Sequence, residues 1–232
     1  MNKVCCVLAT MLLPMAAVLS PMAAVSFAAD EPSAPKAGED GWISLFDGHS
    51  LKGWKASEHP EQWKVDDGRI VAAGPRSHLF YVGDDESKPP EFKNFEFRAD
   101  VMTTRGSNSG IYFHSRFQPS GFPQTGFEAQ VNNTHLDPVK TGSIYHIKKN
   151  FRPPAKDNEW FTEDVIVNGD TIVTKVNGKV IAEYTEPADA KATPEQIEKG
   201  VMEKISKGTF ALQAHDPKST TYYRNIIVKP LP

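Results

Sequence analysis

Between Gly106 and His135 the chain reads GSNSGIYFHSRFQPSGFPQTGFEAQVNNTH, and many of its side chains are of types that move protons or bind hydroxyls. In the first part Ile111, Phe113 and Ser115 alternate with Tyr112, His114 and Arg116; in the second, Phe127, Ala129 and Val131 alternate with Glu128, Gln130 and Asn132. A period of two sends the two sets of an extended strand to opposite faces. With the apolar sets against a core, the other face presents a phenol, an imidazole, a guanidinium, a carboxylate and two amides, with Asn108, Ser109 and Gly110 at the entrance. A polar strand face is often only the wet side of a sheet. Solvated faces, however, favour Lys, Glu and Thr, whereas this set suits proton transfer and hydroxyl binding.

Three further groups add to it. Gln213 and His215 alternate with Phe210, Leu212 and Ala214, so they project together from one strand; a lone His in a sheet is more often structural. Arg224, followed by Asn225, sits in the otherwise apolar YYRNIIV and needs an acceptor or ligand, a structural ion pair with Glu128 or Glu96 being the alternative. Sugar rings stack on aromatic side chains, yet Trp42, Trp54, Trp63 and Tyr112 suit a sandwich core equally well. Trp160 and Tyr145 stand out because they flank irregular loops.

The elements that must position these residues are short strands. QWKV and RIVAA flank Asp66-Asp67-Gly68 and predict a hairpin. His78 to Val82 reads as another short strand. Residues 94 to 103 alternate cleanly, with Phe95, Phe97, Ala99 and Val101 on one face, and predict a long, half-buried strand. Phe117 to Thr125 is a Pro- and Gly-containing loop, and Ser143 to Ile147 precedes a second Pro-rich loop. Asn168-Gly169 and Asn177-Gly178 lie between β-branched runs and predict two more hairpins. One short helix is expected, with Thr193 as N-cap, Pro194 at its first position, Gln196 closing a capping box, and Ile197 and Val201 sharing a side. Many short strands and almost no helix predict an all-β protein, a two-sheet jelly-roll sandwich.

Residues 1–28 have the basic start, apolar run and small-residue end of an export signal, which implies a periplasmic or extracellular protein. Residues 29–40 read as a flexible leader, and 41–232 as a single domain. Both cysteines, Cys5 and Cys6, lie in the signal, so thiol chemistry and disulfides are excluded from the mature chain. Removal of Lys3 leaves 25 basic against 29 acidic side chains, a net charge of about −4. Such mild acidity gives no reason to expect nucleic acid or, after signal cleavage, a membrane as partner, and the oligomeric state is unassigned. There is no phosphate loop, nucleophile elbow or calcium loop, and the seven histidines lack metal-ligand spacing. No cofactor is called for, although a divalent metal held by ligands from distant strands stays open.

LFDGHSLKGW, NSGIYFHSRF, GFEAQVNNTH, TGSIYHI, LQAHD and YRNIIV, in that order, resemble the motifs of the 3-keto-disaccharide hydrolase domain family. The resemblance covers about residues 42–230. It implies a concanavalin-like jelly roll acting on glycosides whose C3 hydroxyl is oxidised to a ketone. It also implies site roles for Asn108, Ser109, Gly110, Glu128, Gln130, Tyr145, Gln213, His215, Arg224 and Asn225. Many members carry Arg where this chain has His114. A C3 ketone acidifies the C2 proton, so the implied chemistry is proton abstraction by Glu128 with His215 or His114 as donor to the leaving oxygen. Arg224, Gln130 and Tyr145 would hold an enolate oxygen or sugar hydroxyls. A lectin-like carbohydrate-binding module and a conventional glycanase are the alternatives; a glycanase wants two carboxylates, and the residue two after Glu128 is Gln130.

Overall fold

The strand alternation of residues 94–103 is realised residue by residue. In the computed structural model, buried and half-exposed positions alternate along β6 (Phe95–Thr103) without interruption. The structure describes residues 1, 37–192, 194–199 and 204–232. The expected signal apart from Met1, and most of the expected leader, fall outside these residues, and so do Thr193 and Val201 of the expected helix. The described residues from 37 onward belong to one compact unit.

The strands are β1 (Ile43–Ser44), β2 (Trp54–Ala56), β3 (Trp63–Asp66), β4 (Arg69–Ala73), β5 (Ser77–Tyr81), β6, β7 (Ser109–Ser115), β8 (Phe127–Val131), β9 (Phe161–Asn168), β10 (Thr171–Val176), β11 (Lys179–Thr185), β12 (Thr209–Ala214) and β13 (Thr220–Pro230). The larger sheet runs β11-β10-β9-β6-β13-β4-β3, with β1 also on β13; the smaller runs β2-β5-β12-β7-β8. All the pairings are antiparallel, and the inner faces of the two sheets share one core, a jelly-roll sandwich. Phe95, Phe97, Phe113, Phe127 and Phe210 meet there ring against ring. Trp54 and Trp63 are buried too, and each indole N–H is satisfied, by Leu45 O at 2.7 Å and Ser77 Oγ at 2.9 Å.

The turns follow their chemistry. Asp67-Gly68 and Asn177-Gly178 both hold positive φ at two successive residues, as a tight hairpin matched to strand twist requires. At the β9–β10 hairpin Asn168 still pairs with Thr171, so the turn is Gly169-Asp170, one residue later than the Asn-Gly pair suggests. The helix α1 spans Pro194–Lys199, but Ile197, expected on its apolar side, is 69% exposed, and Gln196 is the buried residue. Ser143 to Ile147 is a turn joined to β8 through an isolated bridge at Ile144.

What positions the site is the outward face of the smaller sheet. On β7, β8 and β12 both faces are buried. The core covers one; two loops lie against the other. The loop 116–126 is tied to itself by Gln118, whose amide N–H groups donate to Ser120 O and Phe122 O, and to the body through Gly121 N–H on Glu58. The second loop, 132–148, is pinned from within by Asn132 and Lys140.

Candidate active site

Between these loops and the sheet lies a cavity of about 520 Å³, within the range of sites that enclose small organic molecules. Seven of the residues expected to form a site line it: Asn108, Tyr112, Glu128, Gln130, Tyr145, Gln213 and His215. Strand register explains the gathering. Tyr112 is paired with Glu128 and Gly110 with Gln130 across β7 and β8, while Gln213 sits on the neighbouring β12.

Glu128 is 8% exposed and lies across Gly110. A Cβ at Gly110 would stand 2.1 Å from Glu128 Oε1, so the Asn-Ser-Gly glycine is the gap that admits the carboxylate. Gln213 reaches from β12, its amide nitrogen 3.0 Å from Tyr112 Oη and 3.4 Å from Glu128 Oε1. Gln213 Oε1 is buried without a protein partner. Gln130 donates to Asn108 Oδ1 at 3.2 Å. Tyr145 is anchored at both ends, its backbone N–H donating to Glu128 O and its hydroxyl to Asp137 Oδ2 at 2.8 Å. Glu128 is the only carboxylate among the described residues that line the cavity.

His215 is part-exposed at the rim, with Nδ1 2.9 Å from Asp216 Oδ2. His135 lies beside it, ring centroids 5.6 Å apart, with Nε2 3.8 Å from the same oxygen. Burial, and then the neighbouring His215, push the His135 imidazole below its ordinary pKa. His135, His215 and Asp216 form the one group among the described residues close enough to share a metal ion. Their hydrogen bonds run another way. Asp137 N–H donates to His135 Nδ1, which leaves the ring proton on Nε2, and the Asp216 carboxylate accepts a hydrogen bond from His215 Nδ1–H. A cation would have to displace both protons.

Other expected residues lie elsewhere, among them Asn225, whose amide donates to Asp100 Oδ2 at 2.7 Å. His114 is 1% exposed and turned away from the cavity. Thr209 pairs with Ser115 but Ala211 with Tyr112, so Phe113 and His114 together oppose Phe210, and this bulge breaks the period of two. His114 sits at φ 53 with its backbone against Gly126 and Gly208, where a Cβ would come within 2.7 Å and 2.4 Å of its carbonyl carbon. Its Nε2 bonds Lys93 O at 2.8 Å, and burial holds its pKa below the ordinary value. Ser109 faces the core, where its hydroxyl meets Gln213 O and Tyr223 Oη. Asn132 follows the end of β8 and holds the loop through Asp137 O and Val139 O.

Arg224 and Trp160 are on the outward face of the larger sheet, across the core from the cavity. The guanidinium stacks on the indole at 3.9 Å, and its partner is Asp100, 3.5 Å away, instead of Glu128 or Glu96.

Two neighbours of the cavity escaped the sequence reading. His78 pairs with Gln213 across β5 and β12, and its Nε2 lies 3.4 Å from the Gln213 amide. Desolvation pushes its pKa down to about 3, so it is a neutral partner. Its signal was the alternation His78, Phe80 in a strand read only as short. Phe122 roofs the cavity at 44% exposure, with its ring 5.7 Å from His78 and 6.0 Å from His215; nothing in the Pro/Gly loop set it apart.

Among proteins of known structure, a glycosyl hydrolase candidate of Parabacteroides distasonis superposes with a TM-score of 0.66 at 22% identity, over 83% of this chain and 94% of its own. A carbohydrate binding module of Bacillus subtilis gives 0.54 at 12% identity, over 78% and 98%. At these identities they establish the shared fold. A 3-keto-disaccharide hydrolase of Bacteroides thetaiotaomicron is 25% identical over 170 residues, 62% of this chain and 59% of that protein, so the match spans about three-fifths of the relative's length. Residues 41–229 match the model of one domain family, and the chain accordingly belongs to the 3-keto-alpha-glucoside-1,2-lyase-like family.

Proposed function

We propose that the protein cleaves 3-keto-glycosides by removing the C2 proton, expelling the C1 oxygen and then adding water. The observation that carries this reading is a single buried carboxylate, Glu128, held over Gly110 among neutral donors. A conventional glycanase needs a second carboxylate across the bond. Abstraction next to a ketone needs one base and donors for the enolate oxygen.

In the proposed sequence the Glu128 carboxylate takes the C2 proton, and the electron pair of that bond moves to the C3 oxygen. Tyr112, Gln213 and Gln130 are the polar groups available to that enolate and to the ring hydroxyls. The enolate collapses to the enone as the C1–O bond breaks, and His215 protonates the departing oxygen. Water then adds at C1, His215 takes its proton, and Glu128 returns one to C2. Both groups end as they began. Export through the 1–28 signal would place this chemistry in the periplasm or outside the cell.

The test is cleavage of a 3-keto-glucoside beside its unoxidised parent. Only the keto form is cleaved, and Glu128→Gln costs about 10³-fold or more in kcat, in line with the loss of a general base. Equal cleavage of both glycosides would overturn the reading, and binding without cleavage would make the protein a lectin-like module.

A further inference from the structure

We propose that Asp216 is a positioning residue for His215, fixing the imidazole tautomer so that Nε2 is the atom that exchanges a proton with the glycosidic oxygen. The proposal rests on reading the cavity as a glycoside-cleaving site. Asp216 is itself held firmly. Lys218 N–H donates to Oδ1 at 2.9 Å, while Ser219 Oγ at 2.6 Å and His215 Nδ1 at 2.9 Å both donate to Oδ2. Burial pushes this carboxyl up, but the hydrogen bonds from Ser219 and His215 outweigh it and hold the group below its ordinary pKa. An ionised carboxylate only accepts hydrogen bonds, so the nitrogen facing it must carry the proton, and the free lone pair belongs to Nε2.

The groups around His215 fit that assignment. Phe122 and His135 neighbour its ring, at 6.0 Å and 5.6 Å between centroids. Burial holds the His135 imidazole below its ordinary pKa, which disfavours a second positive charge beside His215. Glu128 is the one carboxylate among the described residues that faces the same cavity. The cycle starts with both ring nitrogens protonated: when the C1–O bond breaks, the Nε2 proton passes to the leaving oxygen, Nδ1–H stays hydrogen-bonded to Asp216, and the neutral ring is left with its lone pair on Nε2. When water adds, the same Nε2 takes its proton. Glycoside and water become sugar and alcohol, with no oxidant or reductant consumed.

In Asp216→Asn the oxygen stays with the Lys218 N–H and the amide NH₂ turns to His215 Nδ1, which must then accept. Nitrogen NMR should therefore show the Nδ1–H tautomer of His215 in the wild type and the Nε2–H tautomer in the variant. On an alkyl 3-keto-glucoside, kcat should fall by about 10²- to 10⁴-fold, the contribution of a positioned general acid, with KM within about two-fold. On a nitrophenyl 3-keto-glucoside, whose leaving group needs no proton, the loss should be less than about ten-fold. Ser219→Ala, which keeps the other two bonds, should show the same selectivity for the alkyl substrate in weaker form. An unchanged tautomer would overturn the proposal, as would equal losses on the two substrates. Stoichiometric zinc or manganese bound by the wild type and lost in Asp216→Asn would overturn it too, since the three side chains would then form a cation site. If the wild type cleaves neither keto substrate, the functional reading fails, and the tautomer measurement still decides the role of Asp216.

Discussion

The outward faces of the two sheets carry similar side chains and have opposite fates. On the larger sheet Arg224 stacks on Trp160 beside Asp100, and Arg224 remains 41% exposed. On the smaller sheet Glu128, Gln130 and Gln213 are each less than a tenth exposed beneath two loops. The periodicity that sends residues outward is the same in both. The difference is cover: a charge in water is easily solvated, whereas one under a roof must be held by chosen partners, and that arrangement can be turned to chemistry.

Gly110→Ala attacks the covered face directly. The new methyl collides with the far end of a flexible side chain, so the protein should fold and Glu128 should swing aside. A displacement of about 1 Å at a reacting group can cost about 10²-fold, and kcat for a 3-keto-glucoside should fall by that order with the melting temperature little changed. Loss of folding without a specific loss of turnover would break the link between glycine and carboxylate.

A second carboxyl, Glu163, is buried between the sheets and is not among the residues that line the cavity. Its carboxyl oxygens have no hydrogen-bond partner, and the nearby Gly142 N–H already donates to Gln130 O. Burial pushes its pKa well above the ordinary value of 4.5. The sign follows from proton counting: below 4.5 both folded and unfolded chains hold the proton, and as pH rises the unfolded chain releases it first, so stability is lost. Glu163→Gln should therefore match wild-type stability near pH 4 and gain on it at higher pH, by up to about 1.4 kcal/mol per unit until the folded carboxyl ionises. A pH-independent difference would contradict this.

The smallest effect belongs to the exposed face. Arg224→Ala should change kcat/KM by less than about two-fold, with stability altered by about 1 kcal/mol or less, as for an exposed ion pair. A large loss of activity would mean that the two faces communicate.

These contrasts mark what could be read from the chain. The alternation of β6 and the turn pairs at Asp67-Gly68 and Asn177-Gly178 are local, and local patterns survive folding. The face of His114 is not local. It depends on a register shift against Phe210, nearly a hundred residues later, and on Gly126 and Gly208, which make room for the bulge. Arg224 was grouped with Glu128 by motif, but topology puts its strand in the other sheet. His78 reaches the site through its pairing with Gln213, a relation that exists only after β5 and β12 meet. Ser109 has the right alternation for the core, and the structure places its hydroxyl there, against Tyr223 Oη, and not among the residues that line the cavity.

The account turns on one event, removal of the proton at C2. Its most direct test is turnover of a 3-keto-glucoside in deuterated water, with the released sugar analysed by NMR. Deuterium at C2 of the product, absent when Glu128→Gln is used, is the predicted result. Released sugar that keeps its original hydrogen at C2 would contradict it.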